Sequence, residues 1–112
     1  MCMMPALPET APEIIELIDQ ALRTEPERSR GRRARFALVV DGNPWHIVLD
    51  DELGGHAGSG VPERPQLTII ATERVFVDIA HGRRNPTKAY VTGALKVVGK
   101  LELLGMLQEA LR

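Results

Sequence analysis

A single cysteine, Cys2, is all the thiol that this 112-residue sequence holds. No disulfide framework is possible within the chain, which suits a reducing cytoplasm. Charge of one sign is lacking too. The net charge is −1, so no global field favours nucleic acid or an acidic partner. Long apolar runs are missing, and none approaches the roughly 18 residues of a membrane span. Membrane contact is therefore expected to be transient at most. The opening MCMMPALPETAP has no basic n-region, and Pro5 and Pro8 interrupt its apolar character, which argues against a signal peptide. Aromatics make up only 4% of the chain: Phe36, Trp45, Phe76 and Tyr90. The core is therefore expected to be built mostly from Leu, Ile, Val and Ala, which still pack densely.

What is present fits one soluble domain. At 112 residues, 44% hydrophobic and 26% charged, the chain can bury one core without metals or disulfides. Residues 1–9 read as a frayed terminus. Residues 10–23 read as a helix: Thr10 and Glu13 have capping-box spacing, Pro12 lies in the first turn, and Ile14, Ile15, Leu17, Ile18, Ala21 and Leu22 form an apolar face. Residues 24–33 read as an Arg-rich linker. Its arginines, continuing to Arg35, read as a solvated surface offset by Glu25 and Glu27, without the interleaved aromatics that single-stranded nucleic acid requires.

From residue 34 the apolar period falls to two. The runs 35–41 and 45–50 flank DGNP, a hairpin signal. Phe36, Leu38 and Val40 share one face of the first run; Trp45, Ile47 and Leu49 share one face of the second. A Gly- and Pro-rich turn follows, with at most a short strand near 57–61. The run 66–72 is apolar on both faces, which predicts a central, covered strand. Helical spacing returns in ERVFVDIAHG, with Gly82 as its stop. NPTKAYVTG is a complete small helix, capped by Asn85, opened by Pro86 and ended by Gly93. A last strand covers 94–100. From Leu101 an apolar stripe of Leu103, Leu104, Leu107, Ala110 and Leu111 marks a terminal helix. Segregated strands and helices of this kind predict an α+β domain with a mostly antiparallel sheet.

Motifs for common chemistries fail on spacing. There is no phosphate-binding G-x-x-x-x-G-K-[ST], and GGHAGSG lacks the helix and lysine that would have to follow. Ser59 is not in a G-x-S-x-G elbow. His46, His56 and His81 share no zinc-ligand spacing. The acidic run at 50–52 reads as a solvated turn.

The segment VFVDIAHGRRNPTKAYVTGALKVVGKLELLGMLQEAL resembles the sterol carrier protein type-2 family of lipid-binding and lipid-transfer domains. The matching positions are Phe76, Gly82, Asn85, Pro86, Ala89, Tyr90, Gly93, Leu95, Lys96, Val97 and Gly99. Upstream, DGNPWHIVLD and LTIIAT resemble the family's strand pair and its next strand, so the likeness covers residues 34–112. Gln66 and Lys100 stand where the family commonly has Asp. The chain ends in EALR and not in a peroxisomal Ser-Lys-Leu, so peroxisomal targeting is not carried over and a cytoplasmic location is expected.

The resemblance implies a five-stranded sheet with helices packed on one face. Between the sheet and the C-terminal helices it implies an apolar tunnel that takes a fatty acid, acyl-CoA ester, sterol or similar lipid. Phe36, Leu38, Ile69, Phe76, Ile79, Tyr90, Val97, Leu103, Leu104 and Leu107 are expected to line it, with Tyr90 able to hydrogen-bond a headgroup. Arg83 and Arg84 read as surface arginines or as attractors of an anionic headgroup. The protein is then a non-enzymatic binder or carrier, without cofactor or metal, as monomer or homodimer. The rival is a homodimeric interaction or accessory module whose apolar face is filled and binds no lipid.

Overall fold

The computed structural model describes residues 10–52 and 54–111. The N-terminal segment 1–9 and Cys2 lie outside the described residues. The elements in chain order are α1 (Ala11–Thr24), a 3-10 turn (Pro26–Ser29), β1 (Ala34–Val40), β2 (Asn43–Leu49), β3 (His56–Ser59), β4 (Leu67–Ala71), α2 (Glu73–Ala80), α3 (Pro86–Val91), β5 (Lys96–Gly99) and α4 (Leu103–Ala110). The five strands form one sheet in the order β3-β2-β1-β4-β5. Three neighbouring pairs are antiparallel, and β1 with β4 is parallel. The meander β1-β2-β3 runs outward to one edge, and the chain returns to place β4 on the free side of β1.

Turn chemistry sets the first register. Asp41 (φ 49°) and Gly42 (φ 79°) are both left-handed, as a two-residue type I′ turn demands, and Val40 faces Asn43. Asn43 and Pro44 therefore belong to β2 rather than to the loop. Pro44 sits near the strand's start, where a missing N–H is tolerated.

One apolar core holds the domain together. Phe36, Leu38 and Val40 of β1, Ile47 and Leu49 of β2, and Leu67 and Ile69 of β4 all belong to it. So do Ala11, Ile15 and Leu22 of α1, and Leu104, Leu107 and Ala110 of α4. The core thus extends to α1, beyond the 34–112 block. The other side of the sheet is more open. Ile70 is 37% exposed although β4 is central, so the expectation of cover on both faces is corrected: the helices gather over the face that carries Leu67 and Ile69.

Polar contacts fasten the N-terminal elements. Thr10 donates its hydroxyl to Glu13 at 2.6 Å, but neither side chain caps the backbone; the N–H of Ala11 is taken up by Glu73 Oε2 of α2 at 2.9 Å. Asp19 Oδ1 accepts from the N–H of Ala57 on β3 at 2.9 Å and from Arg23 Nε at 2.8 Å. Burial would raise the Asp19 carboxyl, but those two hydrogen bonds and the Arg23 charge outweigh it and hold the group below its ordinary 3.8.

The Arg-rich segment is folded against its neighbours. Pro26 opens the 3-10 turn, and the chain doubles back far enough for Arg28 to donate to the carbonyl of Ala110 at 3.1 Å. A cation at that helix end is favoured by the helix dipole. Arg32 pairs with Glu109 at 3.4 Å, and Arg33 bridges Asp51 at 2.6 Å and Glu52 at 2.7 Å. These pairs are partly or largely exposed, where water and salt screen them, so they orient the segment more than they stabilise it.

Candidate functional site

Leu38 of β1, Ile47 of β2 and Ile69 of β4 point from the same sheet face into a cavity of about 300 Å3. Strand alternation explains the choice: residues two apart share a face, and register sets Leu38 beside Ile69. The helices close the other side. Ile18 comes from α1; Phe76, Ile79 and Ala80 from α2; Leu104, Leu107 and Gln108 from α4, followed by Leu111. Phe76 and Ile79 are three apart on α2, so both face inward. Asn85, Pro86 and Leu95 complete the wall where the chain enters and leaves α3.

The wall is almost wholly hydrocarbon. Asn85 and Gln108 are its only polar side chains among the described residues. Asn85 is held in place by its capping role, its Oδ1 accepting from the N–H of Thr87 at 2.9 Å and of Lys88 at 3.1 Å. Among the described residues no carboxylate, histidine or thiol lines the cavity, so none of them offers a general base or a nucleophile there. Among the described residues no group of three or more His, Cys, Asp or Glu could hold a metal ion. What this surface can do is shelter apolar matter from water.

Six residues expected from the sequence line the cavity: Leu38, Ile69, Phe76, Ile79, Leu104 and Leu107. Four do not. Phe36 is fully buried and packs deeper in the core; Val97 and Leu103 pack against that core from its margin. Tyr90 is 38% exposed on the outer side of α3, so its hydroxyl is not placed to meet a molecule in the cavity. The short α3 has one inward position, Ala89, and Tyr90 follows it around the helix. Reasoning from the sequence missed Ile18, Ile47, Ala80, Asn85, Pro86, Leu95, Gln108 and Leu111. The first two sit on apolar faces visible in the sequence; only the docking of α1 over the sheet shows that Ile18 reaches this space.

Residues 13–112 match the SCP-2 sterol transfer family, and the chain belongs to that family. It is 29% identical over 93 residues to hydroxysteroid dehydrogenase-like protein 2 of Rattus norvegicus, covering 81% of this chain and 18% of that protein. The chain thus spans about a fifth of the length of this curated relative. Its fold is similar to palmitated SCP2L2 of Aedes aegypti, with TM-score 0.73, 21% identity, and 92% of this chain and 95% of that one covered. It is also similar to part of the sec-alkylsulfatase Pisa1 of Pseudomonas sp., with TM-score 0.71 and 16% identity over 91% of this chain and 16% of the enzyme. Among the described residues no helix is long and apolar enough to cross a membrane.

Proposed function

We propose that this domain binds, and carries between sites, a hydrophobic small molecule of the fatty-acid, acyl-ester or sterol kind, without catalysing a reaction on it. The observation that carries this reading is the cavity of about 300 Å3 walled by apolar side chains from three strands and four helices. Left unfilled, an apolar wall of this kind costs about 25 cal/mol for each Å2 that it leaves facing water. An alkyl chain offsets that cost. Each methylene buried there contributes about 0.8 kcal/mol before association costs. Membership of the SCP-2 sterol transfer family and the likeness to a palmitated relative support the same reading.

The test is native mass spectrometry of the purified protein joined to displacement of a fluorescent fatty acid. A co-purifying lipid mass, or saturable displacement in the micromolar range, is the expected result. Ile79→Trp, which fills the cavity from α2, should weaken displacement at least tenfold while the circular dichroism spectrum is unchanged. Leu107→Arg, which puts a charge into the apolar wall, should abolish it. A protein that displaces nothing and runs as a stable dimer is instead the homodimeric module whose apolar face is already filled.

A further inference from the structure

We propose that the domain selects amphiphiles with an anionic end, and that Arg83, Arg84 and Lys88 hold that end in a cleft beside the apolar cavity. This rests on the hydrophobic-carrier reading above and adds the headgroup to it. The cleft, about 340 Å3, lies at the loop between α2 and α3 and along α3, where Arg83, Arg84, Asn85, Lys88, Ala89 and Thr92 line it. Asn85 lines both this cleft and the apolar cavity, so the two adjoin at one side chain. In this proposal a tail lies in the cavity and its polar end passes Asn85 to reach the three cations.

Charge is segregated in the same place. Five of the 14 Lys and Arg residues fall between positions 79 and 101, a stretch without Asp or Glu, in a chain whose net charge is −1. Among the described residues no carboxylate lines the cleft. Asp78, on α2, receives both guanidinium groups, Arg83 at 3.3 Å and Arg84 at 3.6 Å. One carboxylate cannot neutralise two arginines, and Lys88 has no acidic partner among the described residues, so the three cations keep an excess of two positive charges. Asp78 acts as the post that holds the guanidiniums in position.

Asn85 adds a donor. Its Oδ1 is committed to the start of α3, which leaves the NH2 as the group it can offer at the junction. The hydroxyl of Thr92 is already donated to the carbonyls of Lys88 and Ala89 and is left out of the site. Guanidinium groups pair with carboxylate and phosphate through charge-assisted, often bidentate hydrogen bonds, which fixes the shared ligand chemistry as a carboxylate or phosphate on an alkyl chain. Glycine at position 82, left-handed at φ 76°, turns the chain out of α2 and sets both arginines on this side.

The test compares dodecanoate, dodecyl phosphate and dodecan-1-ol by displacement of one neutral fluorescent probe. The wild-type protein should bind the two anions about tenfold more tightly than the alcohol, and added salt should narrow the gap. In R83Q/R84Q/K88Q the anions should fall to the affinity of the alcohol, with dodecan-1-ol changed less than twofold. Lys88→Gln alone leaves the Asp78 pairs intact and should cost the anions about threefold, which guards against a triple variant that folds poorly. Equal binding of alcohol and anions by the wild type overturns the headgroup site and leaves the carrier reading standing. Failure of all three to bind overturns both. Inorganic phosphate competing as well as dodecyl phosphate overturns the link to the cavity, because the cleft would then take a free anion without a tail.

Discussion

Two glycines set the two sides of the molecule apart. A Cβ built on Gly55, beside β3, would lie 2.7 Å from Ser29 Oγ, 2.8 Å from the Val48 carbonyl and 3.2 Å from Leu22. A Cβ on Gly105, in the middle of α4, would meet nothing within 4 Å. The first glycine sits where α1, the 3-10 turn and the β2-β3 edge close on one another without spare room. The second sits on a helix whose inward side faces the cavity. Tight packing and hydrogen bonds make the α1 side a fixed support, whereas apolar contacts, with two arginines at its far end, hold α4. Apolar contacts are non-directional, so a surface made of them can re-form around an alkyl chain where a hydrogen-bonded one cannot.

The largest expected effect breaks the support side. Leu22 is fully buried, and Leu22→Ala should cost about 3–5 kcal/mol, measured by urea unfolding. Leu107→Ala, at a residue that already borders the cavity, should cost about 2–3 kcal/mol, and saturating dodecanoate should restore more of that loss than of the Leu22 loss. Equal costs and equal rescue would erase the distinction between the two sides. Gly55→Ala comes next: the added methyl should destabilise by about 1–3 kcal/mol. Gly105→Ala should do the reverse and stabilise by about 0.5–1 kcal/mol, seen as a higher Tm, because it removes only backbone freedom.

The smallest effect is a slope with pH. Partial burial, the like charge of His46, whose ring centroid is 5.4 Å away, and Arg23 hold His56 below its ordinary 6.5. The fold therefore prefers the neutral ring, while the unfolded chain protonates near pH 6.5. Stability should be full above that value and fall as pH drops through it. His56→Asn should flatten the slope between pH 7.5 and 5.5. Asp19 acts lower: its depressed carboxyl contributes stability above about pH 3.8 that is lost as acid protonates it.

Much of the fold was legible because local rules fixed it. Asp41-Gly42 forced the I′ turn, Asn85-Pro86 started α3, and Gly82 and Gly93 stopped α2 and α3 at positive φ. The Thr10–Glu13 signal placed the start of α1 correctly, yet its cap came from Glu73, 62 residues away, a partner no local pattern names. The site was legible in part. Leu38, Ile69, Phe76, Ile79, Leu104 and Leu107 lay on faces whose period declared them inward. Tyr90 was misplaced because a six-residue helix has too few turns for its period to show which side is buried.

The order of local conformations, the split into strands then helices, and the inward face of each long element followed from the sequence alone, because they depend on steric limits and side-chain period. The parallel neighbouring of β1 and β4, the return of the arginine segment to α4, and the space left between sheet and helices were settled only in three dimensions. A cavity is a difference between the volume that elements enclose and the volume their side chains fill. No single stretch of chain carries either quantity.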